Sequence, residues 1–154
     1  MERIIIQVHK SLIQKKKTLA VAESCTGGVT SSLLTRLSGS SRYFTLGIVA
    51  YSNQAKTSIL KIPAKLIAQK GAVSQEVAKK LAQNVRKLAK SDFGIGITGI
   101  AGPTGGSTKK PVGTVFIAVA DKHKTTGKKF HFTGIRSTIR KEAALASLRL
   151  FKRL

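Results

Sequence analysis

The stretch TLAVAESCTGGVTSSLLTRL, residues 18–37, contains three local patterns in succession. Residues 18–22 (TLAVA) form an apolar run that is too short for a helix and indicates a buried strand. The two glycines that follow indicate a tight turn, after which Val29, Leu33 and Leu37 recur at the spacing of one helical face. A strand, a glycine turn and a helix in this order are typical of an α/β protein.

The rest of the chain continues the alternation of helices and strands. Further strands are predicted over residues 43–52, 93–97, 112–120 and 129–133. Further helices are predicted along Ile5, Val8 and Leu12, over 55–60 and 64–70, from an N-cap at Ser74 to about Lys90, and along Ile139, Ala143, Ala146 and Leu150. Because a short turn joins the last two strands, we expect a three-layer α/β/α sandwich with a mixed, partly antiparallel sheet of about five or six strands.

Length and charge restrict the function. A chain of 154 residues fits a single domain. The 28 Lys and Arg residues outnumber the 6 Asp and Glu, and the net charge of +22 favours an anionic substrate or partner. The six carboxylates include no close pair in sequence, which argues against two-carboxylate glycoside chemistry and against a Mg²⁺ or Ca²⁺ cage.

Cysteine and histidine usage argues against a metal site. A lone Cys25 cannot form an intrachain disulfide or a Cys-rich zinc site, and His9, His123 and His131 lack the spacing of zinc ligands. The lone cysteine fits a reducing compartment, and the chain has no apolar run of the ~18 to 20 residues that a membrane span needs. Residues 1–12 do not resemble a signal peptide. We therefore expect a soluble, cytoplasmic protein without a metal, a cofactor or a membrane partner.

The turn AESCTGG, residues 22–28, has two interpretations. The backbone N–H groups of a strand-to-helix turn can hold an oxyanion or a phosphate, and the turn can present a nucleophile. Ser24 or Thr26 can equally serve only to cap the next helix. Cys25 is an alternative nucleophile, although a lone cysteine is more often a small buried apolar residue.

The segment GIGITG, residues 94–99, formally matches a dinucleotide-binding fingerprint. That fingerprint requires its glycines to open a helix, which Pro103, Gly105, Gly106 and Pro111 prevent here. The chain also lacks the phosphate-binding pattern GxxxxGK[ST]. The loop of residues 98–106 is either a cradle of backbone N–H groups or a plain connection between strands.

Nucleic-acid binding is the alternative function. Residues 109–154 contain 12 Lys or Arg residues and only two acidic ones. Dispersed lysines usually form a solvated face, but a basic surface is also the electrostatic footprint of a nucleic-acid-binding protein. The basic residues form no long run, and with no Trp, 2 Tyr and 6 Phe the sequence offers no obvious platform for stacking bases.

Six motifs in order and spacing resemble the C-terminal domain of the competence/damage-inducible CinA proteins. They are AESCTGG (22–28), GSSRYF (39–44), VAYSNQAK (49–56), GAVSQEVA (71–78), TGIAGPTGG (98–106) and KPVGTV (110–115). The resemblance covers about residues 15–150 and implies a single CinA C-terminal-like amidohydrolase domain over 1–154. Larger family members carry an additional N-terminal domain, so the resemblance implies the stand-alone form here.

The resemblance also implies an activity and its catalytic residues. It implies an amidohydrolase that converts nicotinamide mononucleotide (NMN) to nicotinic acid mononucleotide and ammonia in pyridine nucleotide salvage. The family's serine, tyrosine and lysine fall on Ser24, Tyr51 and Lys56. In such a Ser/Lys site, Lys56 would be the base and Tyr51 would relay or orient the proton. The resemblance further implies a homo-oligomer.

The residues implied for substrate binding lie in the two glycine segments and near the catalytic residues. They are Thr26, Gly27, Gly28, Asn53, Thr98, Gly99, Ala101, Gly102, Arg136 and Arg140. Backbone N–H groups at 26–28 or 98–102 would stabilise the carbonyl oxygen, and an arginine would hold the phosphate. Where the family has Gly-Asp-Arg, this chain has Gly134, Ile135 and Arg136, which leaves Arg136 and Arg140 as equal candidates for the phosphate.

Overall fold

The computed structural model describes residues 2–153. Its helices are α1 (Glu2–Lys15), α2 (Val29–Leu34), α3 (Asn53–Ser58), α4 (Ala64–Lys70), α5 (Gln75–Ala89) and α6 (Arg136–Lys152). Its strands are β1 (Leu19–Glu23), β2 (Phe44–Val49), β3 (Phe93–Gly99), β4 (Thr114–Ala120) and β5 (Thr125–His131). None of the helices within 2–153 is long and apolar enough to cross a bilayer.

The five strands form one mixed sheet in the order β2-β1-β3-β4-β5. Strands β2, β1 and β3 are parallel, while β4 and β5 are antiparallel to their neighbours. The two long connections, β1 to β2 and β2 to β3, pass through helices, as parallel pairing requires. The predicted α/β class with a mixed, partly antiparallel sheet is confirmed.

Alternate residues of β1 face different layers of the sandwich. Leu19 and Val21 pack in the cluster that contains α1 and α6, and Ala20 and Ala22 pack in the cluster beneath α5. All four are completely buried, which is why the apolar run has no polar alternation. Helices therefore cover both faces of the sheet, in the predicted layer arrangement.

Helix α5 lies directly on β3, and this contact accounts for the glycines of GIGITG. A methyl group at Gly94 would overlap the carbonyl oxygen of Ala82, and one at Gly96 would overlap that of Ala78. The two glycines serve helix–sheet packing and begin no helix. The structure thus agrees with rejecting a dinucleotide fingerprint, on the physical ground that these glycines face a helix backbone.

Replacing Gly96 with alanine is expected to destabilise the fold by about 3 kcal/mol, because the helix backbone must move to accept the methyl group. Chemical denaturation followed by circular dichroism measures the change. Gly39→Ala is the comparison, because its methyl group meets nothing within 4 Å and costs only backbone strain at φ +85. A Gly96→Ala protein as stable as the wild type would contradict the close contact.

Three predicted boundaries differ from the structure by three residues or more. Strand β2 ends at Val49 instead of continuing to residue 52, because the chain there begins the loop into α3. Strand β5 begins at Thr125 instead of residue 129. It is one of the two edge strands of the sheet. It is mostly polar and half-exposed, so its first half has the composition of a turn. Helix α2 ends at Leu34, short of Leu37.

Candidate active site

The candidate site lies where the three parallel strands end. Ser24 directly follows β1, Tyr51 follows β2 after one residue, and Thr98 and Gly99 close β3. Because parallel strands end at the same edge of the sheet, segments far apart in sequence meet there. This edge is the usual place for a ligand in a parallel α/β sheet.

A cavity of about 200 Å³ opens at this edge. Eight of the predicted site residues line it: Ser24, Tyr51, Asn53, Lys56, Thr98, Gly99, Ala101 and Arg136. Cys25, Ala72 and Val73 complete the lining. Thr26, Gly27, Gly28, Gly102 and Arg140 were also predicted to bind substrate, but they do not line this cavity. The sequence motifs therefore converge on one site, although not all of their residues face it.

The side chains of Ser24 and Lys56 are in direct contact in the cavity. Lys56 Nζ lies 3.0 Å from Ser24 Oγ and donates to the carbonyl oxygens of Ala50 at 2.9 Å and Tyr51 at 3.1 Å. The lysine is only 2% exposed. It sits on α3, whose N-terminus is capped by the Ser52 hydroxyl, which accepts a hydrogen bond from the Ala55 N–H. The cap thus fixes the short helix that carries the lysine.

The surroundings of Lys56 favour its neutral form. Burial lowers the pKa of Lys56 from its ordinary value, and the nearby Cys25 opposes this only as a smaller influence. Within residues 2–153, no carboxylate forms an ion pair with the lysine. A neutral amine has two N–H donors for the two carbonyls and a lone pair that can face the Ser24 hydroxyl. The geometry therefore suits a base beside a nucleophile.

Cys25 is poorly suited to be the nucleophile. Its side chain is 6% exposed, and burial raises the pKa of Cys25 to about 12, with the carboxylate of Glu23 adding to the rise. A thiol with this pKa is protonated at neutral pH and is a weak nucleophile. Of the two candidates that the sequence left open, the structure favours Ser24.

Glu23 is the important residue that sequence reasoning missed. Its carboxylate is fully buried and accepts hydrogen bonds from the N–H groups of Gly28 at 3.0 Å, Thr30 at 3.1 Å and Ser31 at 2.8 Å. The Ser31 hydroxyl donates a fourth bond at 2.7 Å. The N-terminus of α2 is thus occupied by the protein's own anion. The available signal was an acidic residue directly before a glycine turn in a chain with few acids.

Two of the three N–H groups expected at residues 26–28 to bind the substrate are already occupied. The Gly28 N–H donates to Glu23, and the Gly27 N–H donates to the Ser24 carbonyl at 3.1 Å. Neither is available to an oxyanion or a phosphate. By contrast, Cys25 and Ala101 line the cavity, and their N–H groups donate to no oxygen within residues 2–153. These two are the better candidates to stabilise a developing negative charge.

The two arginines are not equivalent. Arg140 donates from Nε at 3.2 Å and Nη2 at 2.9 Å to the carbonyl of Thr26, and reaches the carbonyl of Gly27 at 3.5 Å. It clamps the outside of the glycine turn. Arg136 begins α6, lines the cavity, and donates from Nη1 to the Gly102 carbonyl at 2.8 Å. Of the two arginines, Arg136 is therefore the better placed to bind a ligand in the cavity.

The Tyr51 hydroxyl contacts Arg136 and not the Ser24–Lys56 pair whose proton it was expected to relay or orient. It accepts a hydrogen bond from Arg136 Nη2 at 2.8 Å, and the side chain is 59% exposed. Within residues 2–153, this hydroxyl bonds neither Ser24 nor Lys56, and it is the Tyr51 carbonyl that contacts the lysine. The structure therefore supports a role in positioning Arg136 rather than a relay.

The remaining predicted residues have structural contacts or border the site. Thr98 Oγ1 donates to the Ala72 carbonyl at 2.8 Å, which fixes the end of β3, and the Gly102 carbonyl accepts from Arg136. Asn53 begins α3 at the cavity rim. Among residues 2–153, no group of three His, Cys, Asp or Glu side chains is arranged to hold a metal ion.

Comparison with known proteins decides the family. The CinA C-terminal domain matches residues 1–154 of this chain. The chain belongs to the CinA C-terminal domain family. A CinA-like protein of Geobacter metallireducens is 51% identical over 152 residues, and a protein of Thermoanaerobacter pseudethanolicus named as competence-damage inducible is 48% identical over 154 residues. The family predicted from the six motifs is confirmed.

Solved CinA structures share the fold of this CinA domain. A competence damage-inducible protein A from Klebsiella pneumoniae has a TM-score of 0.95 at 30% identity, covering 98% of this chain and 94% of that one. A CinA superfamily protein from Escherichia coli has a TM-score of 0.93 at 32% identity, covering 98% and 88%. The two relatives above are much longer: each alignment covers 99% of this chain but only 37% and 36% of their lengths.

Proposed function

We propose that this chain is a nicotinamide-nucleotide amidohydrolase that converts NMN to nicotinic acid mononucleotide and ammonia. The observation that carries the proposal is the 3.0 Å contact between Ser24 Oγ and the amine of a lysine that is 2% exposed. A buried amine beside a hydroxyl at a cavity suits acyl transfer by a Ser/Lys pair. Membership of the CinA family fits a hydrolase.

In the first half of the reaction, neutral Lys56 takes the Ser24 hydroxyl proton while Oγ attacks the carboxamide carbon. The carbonyl π electrons move to the oxygen, which the N–H groups of Cys25 and Ala101 would stabilise. The tetrahedral intermediate then collapses. The C–N bond breaks, and the leaving nitrogen takes the proton from Lys56 and departs as ammonia, leaving an acyl ester on Ser24.

In the second half, water replaces the amine. Lys56, again neutral, takes a proton from water as the oxygen attacks the ester carbon. Collapse breaks the ester bond, Lys56 returns the proton to Ser24 Oγ, and the carboxylic acid product ionises as it leaves. One water is consumed and one ammonia is released per substrate. The two carbonyls that hold Lys56 keep its lone pair directed at Ser24 in both halves.

Arg136 would bind the phosphate of the substrate. Its guanidinium has five N–H donors and uses one for the Gly102 carbonyl and one for the Tyr51 hydroxyl. The remaining donors are free to bind phosphate oxygens, and the two existing bonds fix the plane of the guanidinium. The carboxamide would then lie at Ser24 and the phosphate at Arg136.

The test is to incubate purified protein with NMN and measure ammonia and nicotinic acid mononucleotide. We expect both products in equal amounts. Because Lys56 supplies the base, EDTA should leave the rate unchanged. Nicotinamide, which lacks the ribose phosphate, should react far more slowly. Failure to release ammonia from NMN, with the protein folded, would reject the proposal.

Replacing Arg136 with alanine is expected to raise KM for NMN by about 10- to 100-fold, because charge-assisted hydrogen bonds to the phosphate are lost. Arg140→Ala is the matched control, because it removes the same charge outside the cavity. We expect it to lower the unfolding temperature by loosening the glycine turn, and to raise KM much less than Arg136→Ala does, because Arg140 does not line the cavity. Steady-state kinetics and thermal unfolding of both variants decide, and equal KM values for the two variants would argue against Arg136 as the phosphate ligand.

A further inference from the structure

The edge of the sheet opposite Ser24 is strongly basic. Strands β1 and β3 begin there, β4 ends there, and helices α1, α5 and α6 all end there. Cations in the last turn suit the negative end of each helix dipole. Further cations come from the segment before β1 and from the turn between β4 and β5, and neither of these segments is a helix end.

Two adjoining cavities open on this edge. The larger, of about 320 Å³, is lined by Lys17, Arg86, Lys90, Ser91, Asp92, Phe93, Asp121, Lys122 and His123. The smaller shares Lys17 and Phe93 with it and adds two further cations, Lys15 and Lys152. We call the six Lys and Arg residues Lys15, Lys17, Arg86, Lys90, Lys122 and Lys152 the basic edge.

The two carboxylates of these cavities are already satisfied. Asp92 binds Lys17 Nζ at 2.8 Å and the N–H and hydroxyl of Thr18 at 2.9 and 3.0 Å. Burial alone would raise the pKa of Asp92, but these bonds outweigh burial and lower it. The backbone N–H groups of Lys124 and His123 bind Asp121 and lower its pKa. Both carboxylates therefore stay ionised; Asp92 is bound to the segment before β1, and Asp121 is bound within its own turn.

Five of the six cations form no ion pair within residues 2–153, although Arg86 lies near enough to Asp121 to help lower the pKa of Asp121. Of the basic edge, only Lys17 forms an ion pair within residues 2–153. The other five come from α1, α5, the β4–β5 turn and α6, so they lie on both sides of the sheet. Lys17, Arg86, Lys90 and Lys122 line the larger cavity and Lys15 and Lys152 line the adjoining one, so the positive charge continues along the edge beyond a single cavity as a strip. A strip suits an extended row of negative charges better than a single small anion.

We propose that the basic edge binds the phosphate backbone of double-stranded DNA without reading its sequence. Duplex DNA presents one negative charge per ~1.7 Å of its axis, which matches a dispersed strip of lysines. Phe93 is half-buried and Phe151 is buried, so the lining of the two cavities offers no exposed Phe, Tyr or Trp on which unpaired bases could stack. The net charge of +22 attracts the polyanion to this surface.

The proposal is tested by fluorescence anisotropy with a labelled duplex of about 20 base pairs, in NaCl from about 50 to about 200 mM. We expect affinity to fall steeply with salt. The test variant carries Lys15→Gln, Lys122→Gln and Lys152→Gln, which should weaken binding at low salt by about 10-fold or more and flatten the salt slope by up to about 3. Circular dichroism confirms that the variant is folded.

The matched control carries Lys65→Gln, Lys109→Gln and Lys141→Gln. These lysines are exposed and line neither of the two cavities. Their substitution removes the same net charge as the test variant does. We expect the control to lose less than about 3-fold in affinity. Equal losses in both triple variants would overturn the proposal in favour of diffuse charge, as would binding to anionic lipid vesicles with none to the duplex.

The experiment is independent of the proposed amidase. NMN turnover is measured in the same preparations and is expected to be unchanged in both triple variants, because none of the six substituted lysines lines the cavity at Ser24. A wild-type protein that binds duplex DNA as described but does not hydrolyse NMN would reject the amidase alone. A protein that hydrolyses NMN but shows no salt-dependent DNA binding would reject this inference alone.

Discussion

Ser24→Ala is expected to lower kcat for NMN by about three orders of magnitude or more, because the attacking oxygen is removed. Binding of NMN should change little, since Arg136 and the rest of the cavity remain. Stopped assays with a high enzyme concentration measure the residual rate, and calorimetric titration of the inactive variant measures NMN binding. The two measurements separate loss of chemistry from loss of the site.

Cys25→Ser is the control for this variant, because it alters the adjacent residue at the same turn. The thiol is buried with a pKa of about 12, so we expect its replacement to affect stability slightly and kcat by less than about 10-fold. If Cys25→Ser or thiol alkylation abolished turnover while Ser24→Ala retained it, the nucleophile would be Cys25 and not Ser24.

Lys56→Arg is expected to be nearly as inactive as Lys56→Ala. A guanidinium keeps the positive charge but cannot give up its proton near neutrality, so it cannot serve as the base. We expect kcat to fall by at least about 100-fold in both variants, in line with the usual contribution of a general base. Thermal unfolding confirms that each variant is folded. A Lys56→Arg enzyme with most of its kcat would show that the lysine only attracts the substrate.

The pH dependence of the wild-type enzyme provides a second readout for Lys56. Burial lowers the pKa of the lysine from 10.5, so the neutral base is populated at a lower pH than for a free lysine. The rate constant kcat/KM should therefore rise with pH and level off below that ordinary value. If activity instead rose only through the ordinary lysine range, the buried amine would not be the group that loses the proton.

The sequence predicted most of the fold because its buried elements have clear patterns. The run at 18–22 and the helical face beginning at Val77 are almost purely apolar on their buried sides, and Ser74 caps its helix as expected. The edge strand β5 was predicted only in part, since few of its side chains are buried. A hydrophobic pattern arises only where one face of an element is buried, so the sequence of a largely exposed strand predicts that strand weakly.

The site was predicted less completely, for a different reason. The motif resemblance gave Ser24, Lys56 and Arg136, which the fold brings to one cavity. It did not indicate which groups are already satisfied by the protein. That Glu23 occupies the turn, and that Arg140 binds two carbonyls, depends on hydrogen bonds between elements that no spacing in the sequence specifies. Three-dimensional contacts therefore decided which predicted residues remain free for substrate.

The double clamp on the glycine turn has a consequence for binding. Glu23 holds the turn from inside through backbone N–H groups, and Arg140 holds it from outside through carbonyl oxygens. The loop that presents Ser24 is thus preorganised before any substrate arrives. No conformational entropy of this loop has to be lost when the substrate binds, so the binding energy of the phosphate can be used to align the carboxamide. The backbone of the turn should accordingly superpose in free and occupied forms of the protein.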